Sequence, residues 1–364
     1  MGKKILITLD GRALATGMAL NEFTAYRANK YPDESHHFIA LGPHTKLEEE
    51  TRDLKGYHNV KFYDCKGKLL AIPKFINEII EVEKEYSNKI LIHAHHPYSA
   101  SFLNIYKNFS WRIPILYTVH NTYNNYSLHN KIFTNINLGT SNFITFCGKT
   151  SYKAYPYKSF IKKRNKPIPN GVNIKRIDST IDKVDTNRND NLILTTISKR
   201  NGQKNIPFLI KLIDQLDIDI TLKVIGPLDE ETKEIKGKND KSKIIFTGLI
   251  ERDQVFKEVR KSDVFISASL YEGLPIAVLE AMATSTPMIL SDIPSHKEIL
   301  SKGEGPILLS LSLKKWAKKI KKLNKMEKEE LQNIGKKNRD IVEKYFSLDQ
   351  MHKEYSVIYN ELLN

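Results

Sequence analysis

The chain has 364 residues, of which 40% are hydrophobic and 27% charged, as expected for a soluble globular protein, and its length predicts two domains. A chain of this length buries a large core without disulfide bonds. The formal net charge of +15 predicts an anionic partner: a phosphorylated small molecule, an anionic membrane surface or nucleic acid. The alternative for most of the lysines is a surface that reflects only a biased genome composition.

The cysteine and hydropathy patterns exclude several classes of protein. Cys65 and Cys147 indicate neither a disulfide framework nor a metal cluster. The apolar run from Ile5 to Leu9 is too short for the core of a signal peptide, and Asp10 ends it. No segment offers about 18 apolar residues free of charge, as a membrane-spanning helix requires. We therefore expect a cytoplasmic protein.

In the first half, short apolar runs that are typical of buried strands alternate with helical patterns. The predicted strands are KKILITL, HHFIAL, NVKFYDC, KILIHAHH, IPILYTVHN and NFITF. Within IPKFINEIIEVEKEY, the residues Phe75, Ile79 and Val82 have helical spacing. Strands that alternate with helices predict a parallel sheet covered on both faces.

The second half repeats this alternation after a polar connection, KPIPNGVNIKRIDSTIDKVDTNRNDN. Its predicted strands are LILTTIS, TLKVIG, KIIFTG, DVFISAS and PMILS, with helices between them. The tail LDQMHKEYSVIYNELL is predicted to form an amphipathic helix. We predict an α/β protein with two doubly wound domains, at 1–172 and 173–345, and a C-terminal helix at 346–364. Ligands of such sheets bind beyond the carboxyl ends of the strands.

The stretch SASLYEGLPIAVLEAMATSTP carries two carboxylates, Glu272 and Glu280, in a segment that is otherwise apolar or small. The helix PIAVLEAMA is apolar on nearly every side and is therefore predicted to be buried. A buried carboxylate needs a partner, either a protein donor or a ligand. The start of a helix favours phosphate, and a carboxylate one to two turns further on can accept hydrogen bonds from the hydroxyls of a ribose. The stretch thus predicts a nucleoside diphosphate site.

SLYEGLPIAVLEAMATSTPMILSDIPSHKEIL resembles the E-x7-E donor-site signature of retaining, nucleotide-sugar-dependent glycosyltransferases, the family 4 or "glycosyl transferases group 1" type. NKPIPNGVNIKRI, ISKRNGQKN and IIFTGLIERDQVFKEVRKSDVFISAS are similar to further segments of that family, and TGMAL and YTVHN are weaker matches. The resemblance covers essentially the whole chain. It implies the GT-B fold, in which two Rossmann-like domains face each other across a cleft and the C-terminal helix crosses back to the first domain.

The resemblance assigns roles to residues of the second half. Glu280 would bind the ribose of the donor, and Glu272 would lie beside the transferred sugar and the diphosphate. Lys204 would neutralise the diphosphate leaving group together with one more cation, Lys199 or Arg200, because SKR stands where the family has an arginine after glycine. Preorganised positive charge at a departing phosphate is the largest catalytic contribution available to such a site.

Other contacts are implied on both halves. His120, after the strand ILYTV, would contact the donor sugar across the cleft. The remaining predicted contacts are made through backbone groups. They come from Gly17 and Met18 to the diphosphate, from Gly273 and Leu274 at the helix start, from Gly248 and Leu249 to the base, and from Gly226.

Histidine-rich and lysine-rich segments suggest further binding functions. HAHH, with His93, His95 and His96, lacks a spaced partner ligand, so no metal site is predicted, and these side chains are instead expected to line the acceptor side. LKKWAKKIKKL is predicted to pack an apolar face on its own domain, with binding to anionic lipid as the alternative. YKAYPYKSFIKKRNK is the stronger candidate for a membrane surface.

The sequence therefore predicts a retaining, metal-independent hexosyltransferase without a cofactor. Its donor would be a UDP-hexose or UDP-N-acetylhexosamine, and its acceptor a saccharide or a lipid-linked saccharide in surface polysaccharide synthesis, with contact to the anionic inner face of the membrane. No nucleic acid partner is expected. The alternatives are a sugar-nucleotide epimerase of the same fold and a basic, non-enzymatic binder of polysaccharide or nucleic acid.

Overall fold

The structure is a computed structural model. It describes residues 4–10, 17–41, 60–65, 71–85, 89–110, 113–156, 161, 164–185, 191–199, 202–228, 232 and 242–364. The chain divides into two compact units. Unit 1 comprises Met1–Pro169 with Met351–Asn364, and unit 2 comprises Asn170–Gln350.

Unit 1 is built on a parallel sheet of seven strands in the order β3-β2-β1-β4-β5-β6-β7. The strands are β1 (Lys4–Asp10), β2 (Glu34–Leu41), β3 (Val60–Cys65), β4 (Ile90–Ala94), β5 (Ile115–Val119), β6 (Phe143–Phe146) and β7 (Asn165–Pro167). Every residue of β4, β5 and β6 is buried. Strands buried on both faces are read in a sequence as continuous apolar runs, which is why these were predictable.

Helices connect the strands of unit 1. They are α1 (Gly17–Lys30), α2 (Ala71–Glu85), α3 (Pro97–Ser110), α4 (Leu128–Thr140) and α5 (Lys149–Lys153), and a 3-10 turn lies at Tyr123–Asn125. Ser127 caps the start of α4 by accepting a hydrogen bond from the Asn130 N–H at 3.3 Å. At its other end, the Arg164 guanidinium donates to the carbonyls of Ser141 (2.7 Å) and Leu138 (3.1 Å). Both ends of α4 are thus fixed by side chains.

Unit 2 contains a second parallel sheet, of six strands in the order β10-β9-β8-β11-β12-β13. The strands are β8 (Leu192–Ile197), β9 (Ile220–Ile225), β10 (Ser242–Gly248), β11 (Val264–Ser267), β12 (Met288–Ser291) and β13 (Ile307–Leu309). Its helices are α6 (Ile174–Ile181), α7 (Ile206–Asp214), α8 (Arg252–Arg260), α9 (Ile276–Ala283), α10 (Pro294–Leu300), α11 (Leu313–Asn324) and α12 (Lys328–Tyr345). The predicted α/β architecture with two parallel sheets is confirmed.

Helix α11 carries the lysine-rich segment LKKWAKKIKKL. Trp316, Ile320 and Leu323 are fully buried in the core of unit 2, and the Trp316 ring contacts Phe208 edge to face at 5.4 Å. The predicted packing of this helix on its own domain is therefore confirmed. The burial follows from an apolar residue at every third or fourth position.

A polar stretch that we expected to be a connection contains helix α6. Asn173 caps this helix by accepting a hydrogen bond from the Arg176 N–H at 3.2 Å, and Ile177 is buried. The expectation was wrong here because the polar residues occupy the exposed side of an amphipathic helix.

The final helix, α13 (Leu348–Leu363), lies with unit 1 from Met351 onward. Its Tyr359 hydroxyl is 2.7 Å from His93 Nδ1 on β4. Its Ser356 hydroxyl accepts a hydrogen bond from Arg27 at 3.0 Å, and Arg27 also forms a buried two-point ion pair with Glu34. The ion pair with Glu34 holds the Arg27 guanidinium in place, and its single hydrogen bond to Ser356 helps to specify where the helix packs.

Candidate functional site

The carboxyl ends of β8, β9 and β10 meet at a pair of glycines in unit 2. The Gly226 N–H donates to the Gly248 carbonyl at 2.8 Å. Gly226 has φ +109, and a Cβ there would lie 2.8 Å from the Ser198 carbonyl oxygen, so glycine is required. Gly248 has φ +65, and a Cβ there would meet open space. Leu249, which follows it, is 79% exposed. The predicted base-binding backbone is therefore accessible.

A buried ion pair lies after β11. Lys204 Nζ is 2.6 Å from Glu272 Oε1, and both side chains are about nine-tenths buried. The Ser269 hydroxyl also donates to Glu272 Oε1, at 2.9 Å, and Gln203 Nε2 donates to Oε2 at 2.7 Å. Two of the residues predicted from the sequence, Lys204 and Glu272, are thus brought together. Gln203 and Ser269 are partners that the sequence reasoning missed.

Hydrogen bonds from Ser291 and His296 also hold the loop that carries Glu272. Ser291 at the end of β12 donates its hydroxyl proton to the Ser269 carbonyl at 2.6 Å. His296 Nδ1 in turn donates to the Ser291 carbonyl at 2.7 Å. Burial lowers the pKa of His296 to about 4. The hydrogen bond to the Ser291 carbonyl and the negative charge of Glu272 act to raise this pKa, whereas the positive charge of Lys204 lowers it further. His296 is therefore a neutral support for this loop, and it was not predicted.

Glu280 lies in α9, which is buried as predicted from Val278 to Ala283. Its partner is a protein donor, Arg252 at the start of α8. Arg252 Nε donates to Glu280 Oε1 at 3.0 Å, and its terminal Nη2 donates to the same oxygen. Among the described residues, Oε2 of Glu280 has no hydrogen-bond partner, and this oxygen is not buried. One oxygen of this carboxylate is thus fixed by arginine, and the other is available to a ligand.

The start of α9 differs from the expectation. The helix begins at Ile276, and Pro275 is its N-cap and not its first residue. Gly273 and Leu274 therefore precede the helix, and the Leu274 carbonyl accepts a hydrogen bond from Asn170 Nδ2 at 3.4 Å. Their backbone N–H groups belong to the entering turn, so the role predicted for them remains a prediction.

In unit 1 the side chains after two neighbouring strands meet. His95 follows β4, His120 follows β5, and His95 Nδ1 is 3.0 Å from His120 Nε2. Burial, reinforced by His96, lowers the pKa of His120 to about 4. His93, on β4 itself, lies against His95 with ring centroids 3.9 Å apart and ring planes at 40° to each other. The predicted residue His120 is thus part of a histidine group that the HAHH pattern only partly indicated.

The remaining residues predicted to bind the diphosphate lie at the start of α1 and after β8. Gly17 and Met18 form the first turn of α1, close after β1 in the sequence. Lys199 is exposed beyond the end of β8. Arg200 lies outside the described residues, so the choice between Lys199 and Arg200 stays open. Among the described residues no group of three or more His, Cys, Asp or Glu side chains could hold a metal ion.

Comparison with known proteins adds independent findings. Residues 178–341 match the family model for glycosyl transferases group 1. The chain is 26% identical over 285 residues to a putative glycosyltransferase EpsF of Bacillus subtilis, spanning 70% of this chain and 73% of the relative. It is 23% identical over 272 residues to an alpha-monoglucosyldiacylglycerol synthase of Streptococcus pneumoniae, spanning 67% of this chain and 60% of that protein.

Solved structures share the fold. Anabaena Alr3699/HepE, in complex with UDP and glucose, superposes with a TM-score of 0.78 at 16% identity, over 98% of this chain and all of that one. The apo form of the lipopolysaccharide outer core galactosyltransferase WaaB gives a TM-score of 0.71 at 16% identity, over 98% and 99% of the two chains.

These findings define the class of protein as a glycosyltransferase of the GT-B fold. The segment 178–341, which contains Lys204, Glu272 and Glu280, matches the group 1 glycosyltransferases. The family resemblance of the sequence is thereby confirmed.

Proposed function

We propose that the protein transfers a hexosyl or N-acetylhexosaminyl group from a nucleoside diphosphate, UDP in the first instance, to an acceptor hydroxyl with retention of the anomeric configuration. The observation that carries the proposal is the buried Lys204–Glu272 pair, together with the buried Glu280 eight positions after Glu272. Lys204 would bind the diphosphate of a nucleotide sugar, Glu272 would lie beside the sugar, and Glu280 would bind the ribose. No metal ion is required, because lysine supplies the positive charge.

The diphosphate would be bound by Lys204. When the bond between the anomeric carbon and the phosphate oxygen breaks, negative charge collects on that oxygen, and a fixed ammonium group stabilises it. Glu272 holds the ammonium group at 2.6 Å, so little reorganisation is needed as the charge develops. Gln203 and Ser269 keep the carboxylate in place. Lys204 would therefore act mainly in the transition state.

The ribose would be bound by Glu280. Its Oε2 would accept hydrogen bonds from the vicinal hydroxyls, while Arg252 keeps Oε1 oriented. A hydrogen bond to a charged group contributes about 1.5–3 kcal/mol, enough for a tenfold to hundredfold effect on donor binding.

In the transfer itself, the acceptor oxygen would approach on the face that the phosphate leaves. The new bond forms between that oxygen and the anomeric carbon, and the acceptor proton goes to the departing phosphate oxygen. Front-face attack of this kind retains the configuration without a covalent enzyme intermediate. His120 would contact the transferred sugar.

The names of two relatives support an acceptor that is a lipid or a lipid-linked saccharide. The chain is 26% identical over 160 residues to an Escherichia coli galactosyltransferase named for alpha-D-GlcNAc-diphosphoundecaprenol, spanning 40% of this chain and 41% of that protein. The Streptococcus pneumoniae relative is named for a glycosylated diacylglycerol. We place the reaction in surface polysaccharide assembly at the inner face of the membrane.

Charge supports contact with an anionic membrane. Residues 86–177 contain 13 Lys and Arg residues and no Asp or Glu, so this stretch carries most of the net charge of +15. Within the described residues, no helix is both long and apolar enough to cross a bilayer. Attraction to anionic lipid is about 1 kcal/mol per basic residue near the surface, so several such residues give appreciable binding.

The same stretch exposes apolar side chains. Leu128 and Ile132, one turn apart on α4, are 76% and 53% exposed, and Ile105 on α3 is 46% exposed. The two helices pack through aromatic rings, with Tyr98 and Phe133 centroids 5.2 Å apart. Apolar side chains within a basic, acid-free segment fit the interface of an anionic bilayer. We propose that this surface docks there.

Vesicle flotation tests the membrane surface. The protein should bind vesicles of phosphatidylglycerol and phosphatidylcholine, bind less at high salt, and not bind pure phosphatidylcholine. Leu128→Ser/Ile132→Ser should weaken binding about thirtyfold, because roughly 2 kcal/mol of apolar transfer is lost. Val357→Ser, at a side chain 60% exposed on α13, is the matched control and should bind normally. Equal loss in the control, or no binding, would overturn this surface.

A panel of nucleotide sugars tests the enzymatic proposal. The cognate donor should raise the melting temperature and release its nucleoside diphosphate when acceptor lipids are added. An epimerase would instead change the sugar without an acceptor. A basic binder would bind nucleic acid with steep salt dependence and respond to no donor.

A further inference from the structure

Two neighbouring imidazole rings in unit 1 are joined by a hydrogen bond. His95 Nδ1 and His120 Nε2 are 3.0 Å apart, a hydrogen-bond distance, so one nitrogen donates and the other accepts. The distance alone is compatible with either direction. The direction matters because a neutral imidazole carries a single N–H, and the shared bond decides which nitrogen of His120 faces a ligand as a donor.

The surroundings of His95 settle the direction. Within the described residues, His95 Nε2 is buried and has no hydrogen-bond partner. A buried N–H group without an acceptor is costly and rare, whereas an unused lone pair on nitrogen is tolerated more readily. The proton of His95 therefore belongs on Nδ1, and His95 donates to His120 Nε2.

Both rings are neutral at physiological pH. Burial, reinforced by the neighbouring His93 and His120, holds the pKa of His95 well below its usual range. Burial and His96 lower that of His120 to about 4. A neutral His120 whose Nε2 accepts a hydrogen bond must carry its proton on Nδ1.

The exposed side of His120 is then a hydrogen-bond donor. His120 is half-buried, and its Nδ1 has no partner among the described residues and is not enclosed. An N–H group of this kind seeks an oxygen acceptor, such as a sugar hydroxyl or a phosphate oxygen. The same tautomer leaves no free lone pair on the ring, so His120 cannot take a proton from the acceptor.

The ring of His95 is itself held in place. His93 lies against it, with ring centroids 3.9 Å apart and ring planes at 40°, and both nitrogens of His93 are occupied. Nδ1 of His93 is 2.7 Å from the Tyr359 hydroxyl on α13, and Nε2 is 2.7 Å from the Thr118 hydroxyl on β5. A ring fixed at two points cannot flip, so it keeps His95 directed at His120.

We propose that His95 is a positioning residue that fixes His120 as a neutral Nδ1–H donor to an oxygen of the transferred group. The role assigned to His120 rests on the proposed function, but the tautomer does not. In its contact with the sugar, His120 would thus be the hydrogen-bond donor, and His95 would be the residue that fixes this tautomer.

Nitrogen NMR of histidine-labelled protein tests the tautomer directly. His120→Asn identifies the His120 signals by their disappearance. In the wild type, Nδ1 of His120 should have the shift of a protonated ring nitrogen and Nε2 that of an unprotonated one. The opposite pattern, or a positively charged ring at pH 7, would overturn the proposal whether or not any donor is turned over.

Substitutions at His95 test the consequence for catalysis. His95→Asn keeps an N–H donor close to the position of Nδ1, whereas His95→Asp offers only an acceptor and should move the His120 proton to Nε2. We expect His95→Leu and His95→Asp to lower kcat about a hundredfold with a smaller change in the KM of the donor, and His95→Asn to restore most of kcat.

The control is His352→Asn, which removes another buried histidine of unit 1, one that stacks on Phe23 with ring centroids 4.2 Å apart. It should leave the His120 signals and kcat close to those of the wild type. If His95→Asp keeps the wild-type tautomer or the wild-type kcat, the positioning role is refuted. If no donor is turned over by the wild type while the tautomer is as expected, the proposed function alone has failed.

Discussion

Removing Arg252 should both destabilise unit 2 and weaken nucleotide binding. Arg252 makes two hydrogen bonds to one oxygen of Glu280, and the two side chains are 13% and 11% exposed. Loss of one partner of a fully buried ion pair costs about 3–5 kcal/mol, because a charge is left without compensation. Since this pair retains some exposure, we expect Arg252→Met to lower the free energy of unfolding by about 2–3 kcal/mol.

A double-mutant cycle separates that penalty from the general cost of substitution. Glu280→Gln removes the charge but keeps an oxygen acceptor, so Arg252→Met/Glu280→Gln should be more stable than Arg252→Met alone. Urea unfolding at pH 7 should give a coupling energy of about 2 kcal/mol between the two positions. A coupling energy below about 0.5 kcal/mol would show that the pair does not stabilise the fold.

Nucleotide binding provides the second measurement of the same variants. By calorimetry, Glu280→Gln should weaken UDP binding about tenfold to hundredfold, because a carboxylate is lost from the ribose hydroxyls. The wild type should prefer UDP to its 2′-deoxy analogue, and Glu280→Gln should reduce that preference. Equal affinities of wild type and Glu280→Gln for both nucleotides would refute the assignment of Glu280 to the ribose.

Three further predictions follow from single contacts. Lys204→Ala should lower kcat about a hundredfold to a thousandfold with a smaller change in donor KM, as measured by steady-state kinetics, since its charge acts on the leaving phosphate; an unchanged kcat would contradict this. Gly335→Ala should destabilise the protein by about 3 kcal/mol in urea unfolding, because a Cβ at Gly335 would lie 1.9 Å from the Ser285 carbonyl oxygen. Gly139→Ala, whose Cβ would meet open space on α4, is the control and should be neutral or stabilising. The unfolded chain should bind more protons at His296 than the folded one between its ordinary pKa of 6.5 and its folded value of about 4, so stability should fall as the pH falls through this window. His296→Leu should remove this pH-dependent loss of stability, which amounts to up to about 3 kcal/mol. Urea unfolding between pH 4 and pH 7 measures it, and a free energy of unfolding that varies with pH as in the wild type would contradict the prediction.

The strands and the two glutamates were the most predictable features. Strands such as β4 and β5 are apolar at almost every position because both faces of a parallel sheet are covered. Glu272 and Glu280 were informative because the surrounding segment, a loop followed by a buried helix, is too apolar to leave a carboxylate without a partner.

Partners distant in sequence were not predictable from local pattern. Arg252 is 28 residues from Glu280, and no periodicity connects the start of α8 with α9. The pairing of His95 with His120 depends on β4 and β5 being neighbours, which the sheet order establishes and the sequence does not.

Helix α6 was missed for a different reason. Ile174, Ile177 and Ile181 have helical spacing, and Asn173 is a typical N-cap, but prolines and charged residues around them indicated a linker. Ser285 has a φ of +58, in the left-handed region that favours glycine, and no local pattern of the sequence indicated this conformation.

The central claim is tested most directly by the product of the reaction. Purified protein, the donor that raises its melting temperature, and a lipid extract from membranes should yield free nucleoside diphosphate and a glycosylated lipid. NMR of that lipid should show the anomeric configuration of the donor. Release of no nucleotide from any donor, or a product of inverted configuration, would contradict the account.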